Sequence, residues 1–149
     1  MERIKKTHGK ILGVDFGDKR TGLALSDPSR MIAGGIGFVS PGGIEKTADA
    51  VAQAAAENSV SAVVVGLPVN MDGTEGSRAE RCRKFAGLLE KRLDIPVVMY
   101  DERMTTMTAA RYLNETNTRG NKRKGIIDTL SAQIILQNFL DRLRNLGDA

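Results

Sequence analysis

Two strand-length apolar segments, Ile11–Phe16 and Thr21–Ser26, face each other across the polar turn Gly17-Asp18-Lys19-Arg20, which commits the start of the chain to a β-hairpin. Whatever follows must extend that sheet or cover it. A third strand, around Ile36 to Val39, comes after the turn at Asp27-Pro28; the cluster Gly34, Gly35 and Gly37 blurs its limits, and Pro41-Gly42-Gly43 stops it. The period then changes. Ile44, Ala48, Val51 and Ala55 recur at helical spacing up to Asn58, and Ala62 to Val65 reads as a buried strand. Ser77 and Glu80 have the spacing of a capping box ahead of the stripe Ala79, Cys82, Phe85, Ala86, Leu89 and Leu93, and Pro96 introduces the strand Val97 to Tyr100. Thr105 or Thr106 is placed to cap a helix running to about Asn114, and a polar, basic loop follows from Glu115 to Lys124. The last helix, about Gly125 to Leu143, carries the apolar face Ala132, Ile135 and Phe139, with Ile127, Leu130 and Ile134 beside it. This order predicts an α/β fold: a five-stranded mixed sheet, three antiparallel strands then two parallel, with helices on both faces. At 149 residues, 1–149 is expected to form a single domain.

Several chemistries are excluded early. Cys82 is the only cysteine, so no disulfide closes within the chain, and its place on an apolar stripe reads as core. The basic segment Met1 to Lys10 lacks the apolar stretch of a signal peptide, and no run of about 18 apolar residues exists, so a cytoplasmic protein that does not cross a membrane is expected. His8 is the only histidine and lies in that basic segment, which removes Ser-His-Asp triads, Cys-His pairs and histidine-based zinc sites. The 22 Lys and Arg against 18 Asp and Glu permit nucleic-acid binding without demanding it. Positive charge gathers at Lys5, Lys6 and Lys10, and again at Arg119, Lys122, Arg123 and Lys124; each group reads either as a patch on a phosphate backbone or as a solvated tail or loop. With no Trp and few aromatics, backbone contact is favoured over base stacking.

The remaining chemistry is that of carboxylates. In a sheet of this kind functional residues collect beyond the carboxyl ends of strands, where Asp15, Gly66-Leu67-Pro68 and Asp101-Glu102 fall. Asp15 interrupts the most hydrophobic strand of the chain, where an ionised carboxylate loses several kcal/mol of solvation unless a partner or metal compensates. A salt bridge to Arg20 or Arg103, or the start of the turn at Gly17, would also account for it. Asp128 lies in the first turns of the last helix, in phase with Ala132, Ile135 and Phe139 and so directed where the core begins; the helix dipole alone would also favour an Asp there. Alternation after Tyr100 sends one of Asp101 and Glu102 inward and the other aside, without saying which. Three carboxylates within about 4 Å repel by roughly 4 kcal/mol per pair at an effective dielectric near 20, so such a cluster shares protons or binds a cation. Mg²⁺ or Mn²⁺ suits hard oxygen ligands, and a metal pair can activate water against a phosphodiester.

Three segments, GVDFGDKRTGLALSD (Gly13 to Asp27), VGLPVNMDGTEGSRAERCRKF (Val65 to Phe85) and DERMTT (Asp101 to Thr106), together with KGIIDTLSAQIILQ from Lys124, resemble the YqgF family, also called RuvX. The resemblance covers almost the whole chain. It implies a ribonuclease H-like fold related to the RuvC Holliday junction resolvases, and a cytoplasmic nuclease linked to maturation of the 5′ end of precursor 16S ribosomal RNA. Asp15 matches the family's first-strand aspartate, Glu102 or Asp101 the acidic pair after the fifth strand, and Asp128 the acidic residue of the last helix. Departures are small: Met104 stands for a usual Leu and Thr21 for a usual Ile. Lys19, Arg20, Arg103, Thr105, Thr106, Arg123 and Lys124 are weaker candidates for phosphate contact, as is Asn70 in the polar loop with Asp72, Thr74 and Glu75, a loop that ordinary turn chemistry explains equally well. Three other functions compete. A Holliday junction resolvase would act on branched DNA as a homodimer, whereas an RNA nuclease could act as a monomer. An ATP-binding fold of the actin and Hsp70 type is suggested by Asp15-Phe16-Gly17 with Gly22, but those proteins need two such domains. A non-catalytic RNA-binding assembly factor would be expected to have lost the carboxylates.

Overall fold

The computed structural model describes residues 2–104 and 120–147, the side chains of 120–128 and 146–147 excepted. Strands β1 (Ile11–Asp15), β2 (Thr21–Ser26), β3 (Ala33–Val39), β4 (Ala62–Leu67) and β5 (Val97–Asp101) form one sheet in the order β3-β2-β1-β4-β5. The two hairpin connections make β3-β2-β1 antiparallel, and β4 and β5 then add in parallel to β1. The parallel additions need crossovers, supplied by helix α2 (Ile44–Glu57) before β4 and helix α3 (Ser77–Arg92) before β5. The predicted α/β mixed sheet is the observed one.

Alternation along the strands builds two cores. Leu12, Val14 and Phe16 face α2 and α3 with Val63, Val65, Val51, Phe85 and Leu89, and the Phe16 and Phe85 rings stack at 4.6 Å. Ile11, Val64 and Tyr100 face helix α4 (Gly120–Gly147), meeting its Ala132, Ile135, Leu136, Phe139 and Leu140. β4, covered on both faces, is buried throughout, which is why it reads as a continuous apolar run. α4 comes unusually close to the sheet: a Cβ on Gly13 would lie 2.7 Å from Leu136 Cβ and 3.2 Å from the Ala132 carbonyl oxygen.

Four expectations change. α4 begins at Gly120 rather than near Gly125, absorbing the end of the predicted basic loop; its Lys and Arg residues are good helix formers and one internal glycine costs only about 1 kcal/mol. β3 starts at Ala33 rather than Ile36, because Gly35 lets α4 pass within contact and Gln133 and Gln137 bond to the Ala33 backbone at 3.2 and 2.9 Å. Ser77 is the first residue of α3 and makes no capping bond; Gly76 is the cap, its carbonyl accepting the Glu80 N–H at 3.1 Å. The start of the chain is not a free tail: Glu2–Lys5 forms a short helix, α1, whose Ile4 is fully buried in the α4-side core. The helix predicted up to Asn114 lies outside the described residues.

Two outcomes follow. Gly13→Ala forces Leu136 and the α4 backbone outward, so it lowers stability by about 1–3 kcal/mol, read as a drop in melting temperature. Asp27, which accepts the Met31 and Ile32 N–H groups at 2.8 and 2.9 Å and a bond from Ser29, is lowered by these bonds from 3.8 to about 2. Its stabilisation is therefore complete above pH 3.8 and lost as pH falls toward 2. Asp27→Asn melts lower than wild type at pH 7, and the difference closes across that acid window.

Candidate active site

β1 ends at Asp15, and alternation puts Asp15 on the same face as Ile11 and Gly13, the face that α4 covers. Parallel pairing of Val14 with Val65 carries Gly66 alongside Asp15, and Gly66 in turn pairs with Tyr100 of β5. Two residues beyond Tyr100, in the 3-10 turn Glu102–Met104, Glu102 turns back over this face: a Cβ on Gly66 would sit 3.2 Å from Glu102 Oε2 and 2.6 Å from Ile135 Cδ1. Asp15 and Glu102 thus flank one glycine, about 10 Å apart at the backbone by the spacing of two strands, and the absent side chain makes room for the ends of Glu102 and Ile135.

The structure separates the acidic pair that the sequence left open. Asp101 points away from Glu102 and locks onto its neighbour Arg103: Oδ2 takes Arg103 Nη2 at 2.7 Å and Oδ1 the Arg103 backbone N–H at 2.9 Å. These bonds hold the Asp101 carboxyl below its ordinary range. Burial pushes the Glu102 carboxyl the other way, with nearby Asp101 adding to the rise and Arg78 opposing it. Cys82, buried in the core on the other face of the sheet, has its thiol pushed up to about 12 by burial first and then by the charges of Glu102 and Asp15.

Position 128 precedes Ala132 by four helical residues, about 6 Å of rise, which matches the step of about 6.6 Å from Gly13 to Asp15 along β1. Asp128's side chain lies outside the described residues, as do those of Arg123 and Lys124 and all of Thr105. Among the described residues no group of three His, Cys, Asp or Glu is assembled for a metal. Asp15 and Glu102 offer the right donors, hard carboxylate oxygens on one face of the sheet on either side of Gly66, and so fit two members of a divalent-metal site.

The weaker candidates divide. Arg103 is bound to Asp101, and Lys19 is exposed, its carbonyl accepting Ser40 Oγ at 2.6 Å. Arg20 is half-buried beside the hairpin turn. Asn70 belongs to a self-contained turn: its N–H bonds the Thr74 carbonyl, its side-chain amide bonds Thr74 Oγ1, and Thr74 is held by Asp72 Oδ1, so turn chemistry accounts for this loop. Two exposed ion pairs then fasten the rim, Arg83 with Glu75 and Arg81 with Asp18. Sequence reasoning missed Arg78, whose charge reaches both Glu102 and Cys82 and whose only signal was its place one residue into α3. It also missed the role of Gly66.

The RuvX family model, described as a Holliday junction resolvase, matches residues 9–142. A protein of Ruminiclostridium cellulolyticum named "Putative pre-16S rRNA nuclease" is 40% identical over 135 residues, 90% of this chain and 95% of that protein. One of the same name from Caldanaerobacter subterraneus subsp. tengcongensis is 44% identical over 137 residues, 91% and 99% of the two chains. Among solved structures, Thermus thermophilus RuvC in complex with a Holliday junction substrate superposes with a TM-score of 0.62 at 16% identity, covering 95% of this chain and 98% of that one, a likeness of fold.

Gly66→Ala meets the far ends of the Ile135 and Glu102 side chains rather than a Cβ and a backbone carbonyl, so it folds with a smaller loss of melting temperature than Gly13→Ala but displaces Glu102 and weakens Mn²⁺ binding in a calorimetric titration. Glu102→Gln tests the buried charge. Because the native carboxyl is raised above its unfolded value of 4.5, wild-type stability is full below pH 4.5 and falls as pH climbs through the raised value. In metal-free buffer at pH 7 the Gln variant is expected to melt higher than wild type.

Proposed function

The chain belongs to the RuvX family, and from that premise we propose that it is a divalent-metal-dependent nuclease acting in the cytoplasm on the 5′ end of precursor 16S ribosomal RNA, with residues 1–149 as one catalytic domain. The observation that carries the reading is the placement of the half-buried Glu102 carboxylate over Gly66, the residue alongside Asp15 in the parallel pairing of β1 with β4. Withdrawing a carboxylate from water is costly, and a cation offsets the cost. The RNA substrate rests on the curated relatives, which match at about 40% identity along nearly their full lengths, whereas the resolvase neighbour shares the fold alone. No helix among the described residues is long and apolar enough to cross a membrane.

Asp15, Glu102 and Asp128 would hold Mg²⁺ or Mn²⁺. Such an ion lowers the pKa of a bound water and offsets charge on the phosphodiester oxygens. The chain's own residues supply the rest. β1 and β4 fix Asp15 and Gly66 in register, and the 3-10 turn brings Glu102 over the glycine. Asp101 is a positioning residue: by holding the Arg103 fork it fixes the turn on which Glu102 stands. Arg78 adds positive charge at the rim, where a substrate phosphate would approach.

Cleavage of a precursor 16S leader and of a four-way DNA junction, each with Mg²⁺ or Mn²⁺, tests this. Asp15→Asn, Glu102→Gln and Asp128→Asn are each expected to lose about a hundredfold or more of leader cleavage, while Asp101→Asn loses less and shifts KM and kcat together. Unchanged leader cleavage in Asp15→Asn and Asp128→Asn would sink the metal site. Cleavage of the junction alone, by a dimer, would instead identify a resolvase.

A further inference from the structure

Among the described residues, the large apolar side chains left in solvent fall in two places: Met31, Ile32, Ile36 and Phe38 on or just before β3, and Met71 and Met104 at the carboxylate end of the sheet. Met71 is the most exposed of them, at 88%, and stands four residues beyond the end of β4. A lone apolar side chain in solvent is ordinary on a protein surface, so its surroundings decide what it means.

Those surroundings are rigid. The Asn70 N–H donates to the Thr74 carbonyl and the Gly73 N–H to the Asn70 carbonyl, each at 2.9 Å. The Asn70 side-chain amide donates to Thr74 Oγ1 at 3.0 Å, and the Thr74 N–H and hydroxyl both donate to Asp72 Oδ1, at 2.9 and 2.6 Å. Gly73 turns the chain at φ 90, in the left-handed region that favours glycine. Asn70, Asp72, Gly73 and Thr74 are thus each used by the turn itself. Met71 makes none of these bonds and keeps nearly all of its surface in water, so neither turn chemistry nor core packing calls for a methionine there.

The turn also has a fixed place relative to the carboxylates. A Cβ on Gly73 would lie 3.8 Å from Arg103 Nη1, and Arg103 follows Glu102 and is held by Asp101. The Asp72 carboxyl, held below its ordinary value first by Thr74, is lowered further by the Arg103 charge. Behind the turn, Glu75 is fastened to Arg83 of α3 at 2.6 Å. Met104, also exposed, follows Arg103 directly in the 3-10 turn. Two exposed thioether side chains therefore belong to the two segments that meet at Arg103, next to Glu102.

A methionine side chain is polarisable and packs well on flat aromatic surfaces. Every nucleobase offers such a surface. The rings of Phe16, Phe85, Tyr100 and Phe139 are all buried in the two cores and cannot meet a base.

We propose that Met71 is a substrate-binding residue: on its preset turn it packs against a nucleobase of the single strand whose phosphate is bound at the carboxylates. The position of that phosphate rests on the nuclease reading. Because the turn is ordered in advance, binding has only the methionine side chain to immobilise.

The test labels the ε-methyl groups of the six methionines of the full chain with ¹³C and follows them by NMR. A short single-stranded piece of the leader RNA is added with Ca²⁺ in place of Mg²⁺, and an abasic strand of the same length is added in parallel. The RNA is expected to move the Met71 methyl upfield by the ring current of a base, and the abasic strand to leave it unmoved; the Met31 methyl stays in place with both. Met71→Leu identifies the resonance and keeps most of the affinity. Met71→Ala and Met71→Gln should weaken RNA binding about fivefold by fluorescence anisotropy and raise KM for leader cleavage similarly, with kcat and melting temperature as in wild type. A strand that binds without moving the Met71 methyl, an equal shift with the abasic strand, unchanged affinity in Met71→Ala, or a strand that does not bind would each overturn the proposal. Any of these leaves the nuclease reading standing where wild type cleaves the leader and Asp15→Asn does not. Loss of that difference removes the reading instead, while the methyl shift still reports the base contact.

Discussion

The close approach of α4 to the sheet is the constraint on which the rest of this molecule depends. Over most of a sheet a helix stands off by the length of the side chains between them. Here Gly13, Gly35 and Gly66, on three different strands, leave that layer empty, and α4 side chains fill it: a Cβ at each would lie 2.7, 2.3 and 2.6 Å from Leu136, Thr129 and Ile135 respectively. The contact is tight enough to fix the helix's depth, since α4 side chains already lie where the missing Cβ atoms would stand. Once that register is set, the position one turn before Ala132 is committed to the level of Asp15.

The same packing decides between the two acids after β5. A strand continued past Tyr100 would keep alternating, but the chain tightens into a 3-10 turn that Asp101 stabilises by accepting the Arg103 N–H. Asp101 is then fully engaged as a structural anion, lowered by its partner, and Glu102 is carried over Gly66 where burial raises it. Two adjacent carboxyls thus shift in opposite directions because one is held by the Arg103 fork and backbone and the other is withdrawn from water.

Much of this was legible in the sequence. The polar turn after Phe16, the change of period at Ile44 and the unbroken apolar run Ala62–Val65 were enough for strand count, pairing sense and helix placement, because each depends on local pattern. Asp15 stood out as a carboxylate in an apolar strand for the same reason. What was not legible depends on contacts between segments far apart in the chain. Gly35 read as a strand weakener, yet it extends β3 because α4, nearly a hundred residues later, needs its missing side chain. Ser77 had the spacing of a cap, but the chain enters α3 one residue earlier than that motif assumes. The first ten residues looked like a basic tail; a single apolar residue, Ile4, anchors them, and one isoleucine among charges is too weak a pattern to read.

The resulting sheet is polarised along its strands. At the carboxyl ends of β1 and β5 acids gather on either side of Gly66, and at the start of β1 a cation sits half-buried on neutral carbonyls. The polarity follows from what each end must satisfy. Backbone carbonyls converge where α1, the segment leading into β1 and the β2–β3 turn meet, and Arg30, with five donors on one rigid plane, can satisfy several at once where a lysine could not. Its charge is then surplus to its structural work. The acids at the other end are surplus in the same sense, since neither β1 nor the 3-10 turn needs Glu102 or Asp15 to be ionised in order to pair.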